Sequence, residues 1–251
     1  MNLSLIGGEE FADGFEDVHT HLLGRAGGGT SRGVFLVTAA AEDGPNTVAY
    51  WRELAVRRLS ATGASVTAPP VVDAASAADP DLVREIEEAD WIYLGGGKPH
   101  VALGILNGTP VLAAILRQTA AGKLLLGASA GAMMMCQQSF VLTEAALAVY
   151  QAALRQLQAG QVAALPVLPC LNLVPGTICA PHFDRSYARQ MEIGIRSYGL
   201  TVLGIDEQTA MVTDGAAGQW QVLGRGAVTV VTPDGTRSAY RAGSKFTLAG
   251  G

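Results

Sequence analysis

Residues 124–135 read Leu-Leu-Leu-Gly-Ala-Ser-Ala-Gly-Ala-Met-Met-Met, a short apolar strand running into Gly127-Ala128-Ser129-Ala130-Gly131 and then into an apolar helix. A serine between small residues, with glycine two positions away on either side, suits a strand-to-helix turn too tight for larger neighbours, and such a turn pushes the hydroxyl out of the fold. A helix starting at Ala130 would aim its free N–H groups at the same spot, where developing negative charge is stabilised.

Outward from this turn, short aliphatic runs alternate with amphipathic stretches, the pattern of βαβ units on a parallel sheet. Toward the N-terminus the expected strands are Asn2–Ile6, Val34–Thr38, Ser65–Ala68 and Trp91–Leu94. Between them, Phe15, Val18, Leu22 and Leu23 fall at helical spacing, Gly24–Gly33 must be a loop, and a helix covers Val48–Thr62. Asp79-Pro80 starts another helix by N-cap and first-turn-proline chemistry, and His100–Leu106 and Pro110–Ala121 complete the set before Leu124. Beyond the serine, Thr143–Leu165 and Ser186–Tyr198 read as helices and Pro166–Pro181 as extended or looped chain. The pattern then changes to short strands at Thr201–Ile205, Met211–Thr213, Trp220–Leu223, Val228–Thr232 and Arg237–Tyr240. The expectation is one α/β domain over residues 1–251: a mostly parallel sheet flanked by helices on both faces, with a C-terminal antiparallel extension.

Composition narrows the function classes. Of the 251 residues 49% are hydrophobic and only 16% charged, which points to a large core and to a homo-oligomer, dimer or higher. A net charge of −5 without any basic block argues against nucleic acid as a partner. Three cysteines, Cys136, Cys170 and Cys179, without C-x-x-C spacing suit buried thiols in a reducing cytosol. The opening MNLSLIGGEE has no signal-like pattern and no run of about 18 apolar residues occurs, so a cytoplasmic protein without a membrane partner is expected. Nucleotide-binding glycine motifs are missing, and no cofactor or metal is called for.

Serine needs a base to take its proton, and the base needs an acid to fix its tautomer. Four histidines are available. His19 and His21 lie on the first helix, where residues two apart point in different directions, so they read as solvated rather than as a metal pair. His100 follows the Gly95-Gly96-Gly97 turn, and His182 ends a strand, where α/β sheets present functional groups. For the acid, Glu207 and Asp206 compete just past another strand; neighbouring side chains there face opposite ways, so at most one of them serves. Glu144 is a third candidate. The triglycine turn offers bare backbone N–H groups which, paired with the N–H of Ala130, would form an oxyanion hole, each donor worth about 3 kcal/mol in the transition state.

Taken together, the triglycine after a strand, GASAGA, Pro181-His182-Phe183 and Gly204-Ile205-Asp206-Glu207-Gln208-Thr209-Ala210 resemble the serine peptidase family of cyanophycinase and aspartyl dipeptidase. The resemblance covers most of the chain. It implies a fold similar to class I glutamine amidotransferases and a Ser-His-Glu triad of Ser129 as nucleophile, His182 as base and Glu207 as acid, with Gly97 and Ala130 as oxyanion donors. The implied activity is cleavage of short peptides, as a dipeptidase or another exopeptidase, with degradation of an Asp-Arg polymer as the alternative. Lys98-Pro99 stands where the family usually carries Asn, and Lys98, with Arg185 and Arg189 nearby in sequence to His182, becomes a candidate anchor for a substrate carboxylate. A non-catalytic binding protein on the same fold, or a cysteine-dependent amidotransferase using Cys136, are the competing readings.

Overall fold

The computed structural model describes residues 1–141, 143–158, 166–185, 198–214 and 218–248, and shows a mixed α/β chain forming two compact units. The first comprises residues 1–4 and 10–131, and the second residues 5–9 and 132–251. Strand β1 (Asn2–Ile6) thus contributes to both.

The first unit continues with α1 (Glu16–Gly24), β2 (Arg32–Leu36), α2 (Pro45–Ser60), β3 (Ser65–Thr67), α3 (Pro80–Glu88), β4 (Trp91–Leu94), α4 (Pro99–Leu106), α5 (Pro110–Ala120) and β5 (Leu124–Ala128). Strands β5, β4, β2 and β3 lie side by side in that order, all parallel, as the alternating pattern requires. Every residue of β4 and β5 is buried, which is why both read as unbroken apolar runs rather than as alternation. Helix starts follow local chemistry. The Asp79 carboxylate accepts from Asp81 N–H and the Thr109 hydroxyl from Leu112 N–H, each followed by proline in the first turn. Proline also explains why α2 begins at Pro45, three residues before the apolar spacing does.

The second unit holds α6 (Ala130–Met135, its first two residues counted with the first unit), β6 (Cys136–Phe140), α7 (Glu144–Gln158), β7 (Val167–Pro169), β8 (Val174–Pro181), β9 (Thr201–Ile205), β10 (Thr209–Thr213), β11 (Gln219–Gly224), β12 (Ala227–Val231), β13 (Arg237–Arg241) and β14 (Lys245–Thr247). A six-stranded sheet runs β13-β12-β9-β8-β6-β7, parallel at β9-β8-β6 and antiparallel at its two ends. Strands β10, β11 and β14 pair antiparallel, so the C-terminal antiparallel expectation holds. A single mostly parallel sheet does not describe this unit: the helix expected from Ala130 is seen as α6 but is only six residues long, and β6, a strand of the second sheet, follows it directly. The predicted helix Thr143–Leu165 is seen as α7, where the Thr143 hydroxyl accepts from Ala146 N–H. Its last seven residues lie outside the described residues, as do residues 186–197 of the helix predicted at Ser186–Tyr198.

Two further expectations need correction. His19 is not solvated: it is 2% exposed and packed among Phe11, Phe15 and Tyr93, while His21 on the other face is exposed. Cys136 and Cys179 are buried free thiols, but Cys170 is only partly covered. Among the described residues no single helix is long and apolar enough to cross a membrane.

Candidate active site

In the first unit, β4 and β5 run parallel with Leu94 opposite Gly127, so the loops that follow them emerge side by side. One carries Gly95-Gly96-Gly97 and the other the elbow. Ser129 sits half-buried at φ 49°, in the left-handed region that a serine adopts only when its surroundings hold it there. Gly131 is required by close approach: an added Cβ would lie 2.1 Å from the Leu94 carbonyl oxygen. A Cβ at Gly96 would stand 3.5 Å from that of Ser129, which brings the triglycine backbone alongside the nucleophile candidate. Gly97 takes φ 134°, and the turn is fastened on either side where Gly95 N–H donates to Leu36 O at 2.9 Å and Lys98 N–H to Ala39 O at 2.7 Å. Ala130 N–H belongs to the first residue of α6; a helix of six residues has little macrodipole, so its terminus offers N–H donors more than a field.

The Lys98 ammonium lies 3.1 Å from Asp43 Oδ1 and 3.8 Å from Glu42 Oε2, so its charge is matched within the protein. His100 is the second residue of α4, with a buried Nδ1 that has no hydrogen-bond partner among the described residues. Glu10, which sequence reasoning passed over, is 9% exposed and places Oε1 4.0 Å from the Cβ position at Gly96. Its charge adds to burial in pushing the Tyr93 phenol far above its ordinary range, burial being the larger cause. Nothing in its sequence context distinguishes it from the adjacent Glu9.

In the second unit, β8 and β9 run parallel with Pro181 opposite Ile205, and again the following loops emerge together. They deliver His182 and Glu207, with His182 Nδ1 2.8 Å from Glu207 Oε1. Of the two neighbouring acids, Glu207 lies against the imidazole, while Asp206 Oδ2 accepts from Ala227 N–H at 2.9 Å. Glu144 opens α7, elsewhere in the chain. Burial raises the Glu207 pKa, but hydrogen bonds from Arg185 and His182, with their charges, outweigh it and leave the carboxyl below its usual value. With a depressed pKa, Glu207 contributes stability above the ordinary carboxylate range, and that contribution is lost as pH falls through the folded value.

The segment after β1 holds the imidazole in place. Gly7 O accepts from His182 N–H at 2.9 Å, Gly8 O accepts from Gln208 N–H at 2.8 Å, and His182 itself takes φ 52°. Gly8, at φ 136°, lies close against the ring; an added Cβ would be 2.2 Å from Cε1. Two glycines directly after a strand, as at Gly95–Gly97, were the available sequence signal for this role. Gly8→Ala is therefore expected to lower turnover by about 100-fold through displacement of the ring, a misplacement of about 1 Å being enough for such a loss. The check is steady-state kinetics alongside circular dichroism, and wild-type turnover in a folded variant would contradict it.

Among the described residues no cluster of His, Cys, Asp or Glu could hold a metal ion, and Cys136 is buried as the first residue of β6. The arrangement therefore offers a strained serine beside a glycine turn in one unit and a carboxylate-braced histidine in the other. The first can supply a nucleophile with backbone donors, and the second can accept and return a proton.

Comparison with known proteins gives a matching context. The whole fold is similar to the crystal structure of a peptidase from an acI-B1 Actinobacterium, at 22% identity and a TM-score of 0.80, covering 98% of this chain and 96% of that one. It is also similar to a candidate peptidase E protein from Listeria monocytogenes EGD-e, at 21% identity and a TM-score of 0.59, covering 89% of this chain and 98% of that one. No curated protein matches by sequence. The family description Peptidase family S51 matches residues 3–220, a span that includes Ser129, His182 and Glu207, and the chain belongs to that peptidase family.

Proposed function

We infer that the protein is a serine peptidase acting on short peptides through an acyl-enzyme, with Ser129, His182 and Glu207 as its triad. Ser129 Oγ attacks the amide carbonyl as its proton passes to His182 Nε2, forming the C–O bond. The C–N bond then breaks as the imidazolium returns that proton to the leaving amine. Water repeats the sequence on the ester, giving a free carboxylate and the serine hydroxyl. Glu207 keeps the Nδ1 proton in place and stabilises the imidazolium, while the N–H groups of Gly97 and Ala130 receive the carbonyl oxygen as it becomes negative. The 2.8 Å contact between His182 Nδ1 and Glu207 is the observation that carries this reading, since it selects the tautomer in which Nε2 exchanges the proton.

Within this activity we favour an exopeptidase or dipeptidase. The Lys98 ammonium already meets Asp43 at 3.1 Å, so a substrate carboxylate there would gain only a weak, solvent-screened ion pair. The test is labelling with a fluorophosphonate followed by profiling on di- and tripeptides with free and blocked ends. Labelling of the wild type, lost in Ser129→Ala and weakened in His182→Ala, is expected. A folded protein that takes no label and cleaves no peptide would mark a binding protein instead.

A further inference from the structure

The geometry points to Arg185 as a positioning residue that holds the Glu207 carboxylate in register with His182, rather than as a contact for substrate. This rests on the triad reading above. The guanidinium meets Glu207 as a fork, Nε to Oε1 at 3.0 Å and Nη2 to Oε2 at 2.9 Å, an arrangement that fixes the plane of the carboxylate as well as its place. Oε1 is the same oxygen that meets His182 Nδ1. The fork belongs to a turn that also carries the imidazole: Arg185 N–H donates to His182 O at 2.9 Å. Within that turn Asp184 Oδ1 accepts from Glu207 N–H at 3.1 Å. Three residues of one tetrapeptide, His182, Asp184 and Arg185, therefore grip Glu207 at its ring-facing oxygen, its backbone and both carboxylate oxygens. A second carboxylate would therefore meet a cation whose charge is already matched by Glu207.

Among the described residues the charged groups around Glu207 are His182, Arg185 and Asp184. Asp206 turns to Ala227 N–H, and Arg237 lies 5.7 Å over the neighbouring Phe183 ring. Of these, Arg185 is the cation that moderates the pull of Glu207 on the imidazolium. Its removal leaves the carboxylate both freer to rotate and more attractive to a proton on His182.

Arg185→Ala should therefore lower kcat by about 10- to 100-fold with KM within about 3-fold, and move the acidic limb of kcat/KM to higher pH by about half a unit or more. Arg185→Lys, which keeps the charge but not the fork, should restore the limb and only part of kcat. Independently of turnover, the downfield Nδ1 proton of His182 in NMR spectra, assigned with His182→Gln, should be lost or exchange-broadened in Arg185→Ala. A KM rise confined to peptides with a free carboxylate, with kcat, limb and Nδ1 proton unchanged, would make Arg185 a substrate contact and overturn the inference. So would a loss of activity that merely tracks the unfolded fraction, with the limb and the proton in place. A wild type that shows the Nδ1 proton but takes no fluorophosphonate label would instead defeat the peptidase reading and leave the role of Arg185 to be decided by the NMR comparison.

Discussion

Ser129→Gly should abolish turnover, by at least about 10⁴-fold in kcat/KM, and yet give a protein more stable than Ser129→Ala by about 1 kcal/mol. Both variants lack the hydroxyl, so both lose the proposed nucleophile and the hydrogen bonds it makes. They differ in what the backbone requires. At φ 49° a residue with a Cβ occupies a sparsely populated region, and the surrounding elbow must keep it there at a cost of about 1–3 kcal/mol. Glycine meets no such penalty, and part of its advantage is returned as extra freedom in the unfolded chain. Alanine keeps the strain while losing the chemistry. Urea unfolding of the two variants beside the wild type, with residual kcat/KM on the best peptide found by profiling, checks both halves. Retained turnover in either variant would falsify Ser129 as nucleophile, and equal stability of the two would mean that the elbow stores no strain at this residue.

The strain at Ser129 was legible because small residues and glycines surround it in the sequence, and glycine at position 131 has a single explanation, the passage of α6 against the end of β4. The buried strands β4 and β5 were equally legible as apolar runs closed by turn residues. Strand β6 was not. Its Cys136-Gln137-Gln138-Ser139-Phe140 puts two glutamines mid-strand, and what makes it a strand is its partner: it pairs with β8 across a register shift, and Gln137 Oε1 accepts from Gly176 N–H at 2.8 Å. Long-range pairing of that kind leaves no periodicity in the local sequence. Which of Asp206 and Glu207 lies against His182 had the same character: Asp206 is engaged by Ala227, 21 residues further on. For His19 the signal was present and was outweighed by residue type. Positions 15, 18 and 22 define the inner stripe of α1, and position 19 falls on it, so periodicity placed the ring inside although histidines on helices are more often wet.

That buried ring should make the protein lose stability as pH falls below neutrality. Desolvation lowers the His19 pKa to about 4, only partly opposed by the charge of Glu16, because the ring is enclosed by Phe11, Phe15 and Tyr93 and its one polar partner among the described residues is the Tyr93 hydroxyl, 3.5 Å from Nε2. In the unfolded chain the same group takes its proton near pH 6.5, so between the two values the unfolded state binds more protons and stability falls as pH falls. The contribution is complete above about pH 6.5 and gone below about pH 4, and at about 1.4 kcal/mol per unit it amounts to about 3 kcal/mol, a large share of a domain's usual margin. Carboxylates held low in the folded state, among them Asp90 and Glu207, act in a more acidic window, so unfolding curves between pH 7 and pH 5 isolate the histidine. His19→Gln and His19→Leu should each flatten the pH dependence of the urea midpoint over that interval, whatever their stability at pH 7, because neither side chain titrates there. If the wild type and both variants lose stability at the same rate from pH 7 to pH 5, His19 is not the group that takes up the proton, and the aromatic pocket around it would have to admit water on that side.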